Sequence, residues 1–209
     1  MKGLLFTECL FSKVIGGTKT QTRRLMKEQP KNKSFYSKAD DYFYNDFGNG
    51  VCGKMKQPRY KVGEVVYLKE PYVQEAIVQA NDLGAMYEAT GNYRYKYAGH
   101  SFSVLDKDSV FGHWKNKMFM PQSAARYFIE ITAVRAERLQ DISDEDCLKE
   151  GIYNGKTNYY GYLNGFDNYP YKTPQKAYAV LINKINGKGI WESNPFVWIY
   201  DFKLCKKPN

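Results

Sequence analysis

A short run of hydroxyl and cationic side chains from Gly17 to Arg24 is the part of this sequence best suited to chemistry. The run reads GTKTQTRR, so threonines are interleaved with one lysine and two arginines. Cations this close together repel one another unless an anion or a carboxylate lies among them. The run therefore predicts either a site for an anionic ligand or a solvated edge strand whose charges oppose aggregation. In both cases its polarity predicts side chains that lie outside the core.

The spacing of Gly17, Lys19 and Arg24 resembles the Gly-x-Lys-x-x-x-x-Arg signature of the ASCH domain family. Three later segments resemble parts of that family and recur in the family's order: residues 60–66, 126–150 and 196–204. The resemblance implies an α+β, mainly β fold: a PUA-like β-barrel with short flanking helices and loop insertions.

The hydrolase branch of the family removes the acetyl group from the exocyclic amine of acetylcytidine. By resemblance to that branch, Lys19, Thr22 and Glu150 are the implied catalytic residues, and Arg23 and Arg24 are implied to bind the ligand. A threonine hydroxyl becomes a nucleophile when a nearby base takes its proton, and a desolvated lysine beside arginines is a suitable base. Arg24 would hold a phosphate or polarise a carbonyl. No metal and no cofactor is implied.

Two other functions fit the same residues. Lysine and arginine side chains also bind RNA backbones or modified bases without turnover. The family includes RNA-binding members, and some are considered nucleases. The predicted partner is therefore a nucleoside, a nucleotide or RNA. The protein is then either a metal-independent amidohydrolase, a non-catalytic RNA- or modified-base-binding module, or a ribonuclease.

The elements next to the run determine how its side chains can meet. The apolar spacing predicts a helix over residues 8–15, ended by Gly16, and a strand over residues 18–25. In a regular strand Lys19 and Thr22 would face opposite sides of the sheet. A bulge or an irregular turn after Gly17 is required to bring both into one pocket.

Glu150 is predicted to lie in the last turn of a helix. Ser143 caps the start of this helix, Asp146 completes a capping box and Gly151 ends the helix. The negative end of the helix dipole disfavours a second negative charge there. This position favours a proton-donating role for Glu150.

The chain is predicted to form one domain, 1–209, with insertions at about 28–59, 74–117 and 153–172. The first insertion shows no sustained periodicity and is expected to have little structure of its own. Alternating tyrosines in the second predict a hairpin. Trp114 and Arg126 resemble pocket-wall residues of longer family members, although ordinary packing explains Trp114 equally well.

The charge of the chain is concentrated near the motif. The formal net charge is +9, and residues 13–69 carry 13 Lys and Arg against 5 Asp and Glu. This favours an anionic partner, although a basic face that only aids solubility is the alternative. Four dispersed cysteines and two histidines do not form a metal-ligand pattern. The composition predicts a cytoplasmic protein that contains reduced thiols and does not bind a membrane.

Overall fold

The computed structural model describes nine segments of the chain: residues 1–30, 34–37, 42–46, 49, 51–54, 57–80, 87–97, 114–161 and 170–208. The fold is α+β, with more residues in strands than in helices. In its first part the elements are β1 (Gly3–Leu5), α1 (Glu8–Ile15), β2 (Gln21–Leu25), β3 (Ser34–Ser37), β4 (Tyr42–Asp46), β5 (Cys52–Lys54), β6 (Val65–Lys69), β7 (Tyr72–Ala80), β8 (Tyr87–Tyr97) and β9 (Trp114–Lys115). The remaining elements are β10 (Phe128–Arg138), α2 (Asp144–Lys149), β11 (Tyr153–Asn154), β12 (Tyr159–Tyr160), α3 (Pro174–Asn186), α4 (Ile190–Ser193) and β13 (Phe196–Cys205).

The main sheet has five strands in the order β1-β6-β10-β13-β2. Only the β1–β6 pair of this sheet is parallel. The longest pairing joins β10 to β13, and its register shifts between Ile131 and Ala133. Such a bulge bends the strand and increases its twist.

The main sheet is strongly curved. Its edge strands β1 and β2 are separated by three others, which in a flat sheet would put them roughly 19 Å apart at the usual strand spacing. Yet the Arg24 guanidinium on β2 donates to the Leu5 carbonyl on β1 at 2.6 Å. The two edges therefore lie within reach of one side chain. This curvature leaves cavities where the edges approach each other.

Both faces of β13 are covered over the first half of the strand. All residues of β13 from Phe196 to Tyr200 are buried, although alternation predicts that only every second one would be. The alternation of apolar residues over 196–204 predicts Leu204 on the apolar face, but Leu204 is 42% exposed. The helices cover one face: α3 buries Ala177, Tyr178, Leu181 and Ile182 against the sheet, while Ile185 is exposed.

Two helices begin and end where the signals in their local sequence indicate. α1 buries Leu10, Phe11 and Val14 and ends at Gly16. α3 starts with Pro174 in its first turn, and the Thr173 side chain accepts from the Lys176 amide. Proline at this position loses no helical hydrogen bond.

The predicted insertions contain small sheets of their own. β3, β4 and β5 form an antiparallel sheet, so the expectation of little structure in residues 28–59 is wrong. β7 and β8 form the predicted hairpin, and β9 pairs with β7. In the third region β11 pairs with β12, whereas residues 162–169 lie outside the described residues.

Candidate functional site

A cavity of about 250 Å³ brings the predicted site residues together. Five of them line it: Lys19, Thr22, Arg23, Arg24 and Glu150. The other walls include Phe6, Leu10, Tyr178, Leu181 and Ile182. We call this space the lysine cavity. Its size is slightly below the usual range of about 300–1,000 Å³ for ligand sites, so it suits a small ligand.

The segment before β2 explains how Lys19 reaches this cavity. β2 begins later than the sequence predicts, because residues 16–20 form a turn instead of extended strand. Gly17 adopts a φ of +74°, and the Lys19 amide donates to the Lys13 carbonyl at 3.0 Å. The turn releases Lys19 from the alternation of the strand. It is the irregularity that allows Lys19 and Thr22 to line the same cavity.

Lys19 and Glu150 form a buried ion pair. Lys19 is 1% exposed and Glu150 is 4% exposed. The Lys19 Nζ donates to Glu150 Oε2 at 2.6 Å, to the Glu150 carbonyl at 2.8 Å and to the Gln21 carbonyl at 2.7 Å. These three acceptors match the three protons of an ammonium group.

A second buried network holds the other face of β2. The Arg23 guanidinium donates to Asp146 Oδ2 at 2.9 Å and to the Gln21 side-chain oxygen, and it lies 3.4 Å from Glu150 Oε1. The Gln21 amide donates to Asp146 at 3.1 Å and to Asp201 at 2.6 Å. The prediction that the run lies outside the core is therefore wrong. Lys19 and Arg23 are buried because distant carboxylates pair with them.

Burial dominates the electrostatics of the cavity. It lowers the pKa of Lys19, although the neighbouring Glu150 carboxylate acts in the opposite direction. It also lowers the pKa of Arg24 and raises that of Tyr178 well above its ordinary value. Burial alone would raise the pKa of Asp146, but hydrogen bonds from Arg23 and Gln21 hold it below its ordinary value. Burial thus makes the Lys19 ammonium lose its proton more readily than an exposed lysine does.

Glu150 caps the C-terminal end of α2, as the helix signals indicated. The Ser143 hydroxyl accepts from the Asp146 amide at the start of this helix, whereas the Asp146 carboxylate contacts Arg23 instead of completing a capping box. Gly151 follows with a φ of +97°, a conformation that L side chains rarely adopt. Because Lys19 and Arg23 lie beside Glu150, their positive charge opposes the helix dipole. The helix end by itself therefore does not make Glu150 a proton donor.

Polar atoms without partners are concentrated around this cavity. Within the described part of the chain, four buried side-chain atoms have no hydrogen-bond partner: Thr7 Oγ1, Arg23 Nε, Arg24 Nε and the Tyr178 hydroxyl. All four residues line the lysine cavity. Thr22 is 4% exposed, and its hydroxyl has no hydrogen bond to any described residue. Buried polar groups are normally paired, so this concentration indicates a site for a polar ligand.

Sequence reasoning missed two parts of this wall. Tyr178 lies on the buried face of α3 among apolar residues, so the sequence does not indicate that this tyrosine lines a cavity. Thr7 precedes α1 and reads as an ordinary N-cap, but its side chain makes no capping hydrogen bond. No local signal could have identified either residue.

Of the two predicted pocket-wall residues, Arg126 is not part of the lysine cavity. Arg126 makes a two-point contact with Glu70, with nitrogen-oxygen distances of 2.8 and 2.7 Å. It lines a neighbouring cavity of about 230 Å³ that also includes Phe6 and Lys117. Trp114 begins β9, and the position of its side chain lies outside what the structure describes.

In the described residues, no group of three or more His, Cys, Asp or Glu side chains could hold a metal ion. Of the helices in the described part of the chain, none has both the length and the apolar character needed to cross a membrane. No family model matches the chain, and no curated protein or solved structure matches it either.

Proposed function

We propose that the lysine cavity binds the base of an acylated nucleoside and hydrolyses the acyl group without a metal. The observation that carries this proposal is the concentration of unpartnered polar atoms around Lys19, Thr22 and Glu150. Leaving four buried polar atoms unpaired costs stability, and a ligand that pairs with them recovers it.

The unpartnered atoms favour a ligand rich in hydrogen-bond acceptors. Arg23 Nε and Arg24 Nε can only donate, whereas the hydroxyls of Thr7 and Tyr178 can donate or accept. Apolar walls from α1 and α3 suit the flat faces of a ring. An acylated cytosine offers carbonyl and ring-nitrogen acceptors on such a ring. Its size also fits a cavity of about 250 Å³.

The buried ion pair can supply both a base and an acid. A proton that moves from Lys19 Nζ to Glu150 Oε2 along their 2.6 Å hydrogen bond leaves a neutral amine and a neutral carboxylic acid. Desolvation favours release of this proton, because burial disfavours the charged ammonium and lowers the pKa of Lys19.

The reaction then proceeds in two steps. The Lys19 amine takes the Thr22 proton as Oγ1 forms a bond to the acyl carbon, and Glu150 protonates the exocyclic nitrogen as its bond to that carbon breaks. The first step releases the amine and leaves an ester on Thr22. In the second step water attacks this ester, and its protons pass through the same pair to restore the Thr22 hydroxyl. Acylated nucleoside and water become nucleoside and carboxylic acid.

We also propose that the fold is a PUA-like barrel of the ASCH kind. The support is the curvature that brings β1 and β2 within reach of Arg24, and the family-like position of Lys19 after a glycine turn. A strongly curved sheet is what a barrel requires.

The test is a turnover assay of purified protein with acetylcytidine and a chelator. Wild-type protein should release cytidine. Thr22→Ser should retain part of the rate and Thr22→Val almost none, because only the hydroxyl reacts. Lys19→Met should lower the rate by about 100-fold or more, the usual scale for an acid-base group. Unchanged acetylcytidine at high protein concentration would overturn the hydrolase proposal.

One observation favours a second candidate, a modified-base reader without turnover. The three protons of the Lys19 ammonium are all donated, which suits a permanently charged lysine that only positions Glu150 and Gln21. A reader would bind acetylcytidine and release it unchanged. In that case Thr22→Val would leave binding intact.

A further inference from the structure

A second, larger cavity lies where the two edges of the curved sheet approach each other. Its volume is about 510 Å³, and it is lined by residues of β1, β2 and β13. Leu5 and Arg24 line both this space and the lysine cavity, so the two adjoin. We call it the edge cavity. Its volume lies within the usual range for small-molecule sites.

The rim of the edge cavity is cationic. Arg24, Lys27, Arg59 and Lys69 line it, against one carboxylate, Glu28. Arg59 and Lys27 are exposed, and neither is paired with a carboxylate of any described residue. Charged side chains in this arrangement attract an anion by an interaction that salt weakens.

The floor of the edge cavity is aromatic. Tyr60, Trp198 and Tyr200 line it, and all three are buried. The tyrosine hydroxyls are already engaged, since that of Tyr60 donates to the Gly3 carbonyl at 3.0 Å and that of Tyr200 accepts from the Arg59 amide at 3.1 Å. The floor therefore offers few free polar groups. The Arg59 guanidinium lies 5.4 Å from the Tyr60 ring centre, within the range of a cation–π contact.

We propose that the edge cavity holds the nucleotide that adjoins the target nucleoside in a single-stranded RNA. This inference rests on the proposed function, because it assumes that the target base occupies the lysine cavity. The phosphodiester would lie beside Arg24, which faces both cavities, and the neighbouring phosphate would lie against Arg59 and Lys27. The base of the adjoining nucleotide would cover the aromatic floor. Cationic rims with aromatic floors bind single-stranded nucleic acid with little sequence preference.

The substrate is therefore a modified residue within an RNA strand, in preference to a free nucleoside. A free nucleoside fills only the lysine cavity and has no phosphate for the rim. A nucleoside monophosphate carries one phosphate but no adjoining base. From the nucleoside to the monophosphate to the RNA, a progressively larger part of the ligand would occupy the edge cavity.

The test compares binding of acetylcytidine, its 5′-monophosphate and a short single-stranded RNA that contains one acetylcytidine. The protein variants are wild type, Arg59→Gln with Lys27→Gln, and Lys188→Gln as a control. Lys188 is exposed, outside both cavities, and its substitution removes a charge of the same sign. The two rim residues are also exposed, so their substitution should leave the fold intact. Thr22→Val is added to every protein, wild type included, to prevent turnover.

We expect the RNA to bind about tenfold or more tightly than the nucleoside at low salt. The rim variant should lose most of this advantage, and the slope of log affinity against log salt should become shallower by about 0.7 for each phosphate that the rim no longer neutralises. Its affinity for the free nucleoside should not change, and the Lys188 control should behave as wild type.

Two outcomes separate this inference from the proposed function. If the nucleoside binds but the RNA binds no more tightly, or the rim variant binds RNA as wild type does, the edge cavity is not an RNA site and the proposed function stands. If neither the nucleoside nor the RNA binds, the proposed function is itself wrong, and this inference is overturned with it.

Discussion

The strongest energetic prediction concerns the buried pair of Lys19 and Glu150. Removing one partner of a buried ion pair leaves an uncompensated charge and costs about 3–5 kcal/mol of the free energy of unfolding. In both single variants the remaining charge keeps some of its partners. Glu150→Gln leaves the ammonium on two carbonyls, and Lys19→Met leaves the carboxylate 3.4 Å from Arg23. We therefore expect each single variant to lose about 3 kcal/mol, the lower end of that range.

The double variant, Lys19→Met with Glu150→Gln, should lose much less than the sum of the two. It removes both charges of the pair, and Arg23 still has Asp146 at 2.9 Å. The coupling energy should be about 2 kcal/mol or more, within the range seen for residues in one network. Urea unfolding followed by tryptophan fluorescence measures all four proteins, since Trp191 and Trp198 pack in the core.

The matched control is the exposed pair of Lys149 and Glu145, whose charged atoms are 2.8 Å apart. Its coupling should be about 0.5 kcal/mol or less, because solvent screens it. If the effects of the two buried substitutions prove additive to within about 0.5 kcal/mol, the two charges do not stabilise each other and the prediction is refuted.

Three further predictions concern single residues. Tyr178→Phe should leave the free energy of unfolding unchanged or raise it, because the substitution removes an unpartnered buried hydroxyl. The affinity for acetylcytidine should fall by about tenfold. An affinity equal to that of wild type would exclude a contact between the hydroxyl and the ligand. Burial raises the pKa of Cys147 from 9.0 to about 12, so its ionisation in the unfolded chain should lower the free energy of unfolding as pH rises from 9 to 12. Urea unfolding at several pH values should show a flatter decline for Cys147→Ala. Gly151→Ala should lower the free energy of unfolding by about 1 kcal/mol or more, because its φ is +97°; an unchanged unfolding midpoint in urea would contradict this.

Elements defined by neighbouring residues were predictable from the sequence. α1 has the predicted bounds because its apolar spacing and Gly16 both act locally. The apolar alternation over residues 127–137 predicts a strand there, and β10 is shifted from those bounds by only one residue, because the alternation continues over many positions. The helix that ends before Gly151 was predictable because its signals, the Ser143 cap and Gly151, also act locally.

Burial of the motif was not predictable from neighbouring residues. Lys19 and Arg23 look solvated in the sequence, yet both are buried, because Asp146 and Glu150 reach them from more than 120 positions away. The polarity of a residue indicates that its side chain requires water or a polar partner. It does not show where in the sequence that partner lies. The resemblance implied Lys19, Thr22 and Glu150, which the structure brings to one cavity, but it gave no indication of Tyr178.

The two cavities could not be predicted from the sequence either. Each forms where the curved sheet brings together strands that are distant in sequence, as with Leu5 of β1 and Arg24 of β2. The periodicity of one strand carries no information on how far a sheet curves, because curvature depends on twist and bulges along all its strands.

The most direct measurement of the central claim is a crystal structure of Thr22→Val soaked with acetylcytidine. We expect the base in the lysine cavity, with its acceptor atoms within hydrogen-bond distance of Tyr178 or the Nε atoms of Arg23 and Arg24. The acyl carbon should lie next to residue 22, on the side of Lys19 and Glu150. An empty lysine cavity at saturating ligand, or an acyl group that faces away from residue 22, would contradict the proposed function.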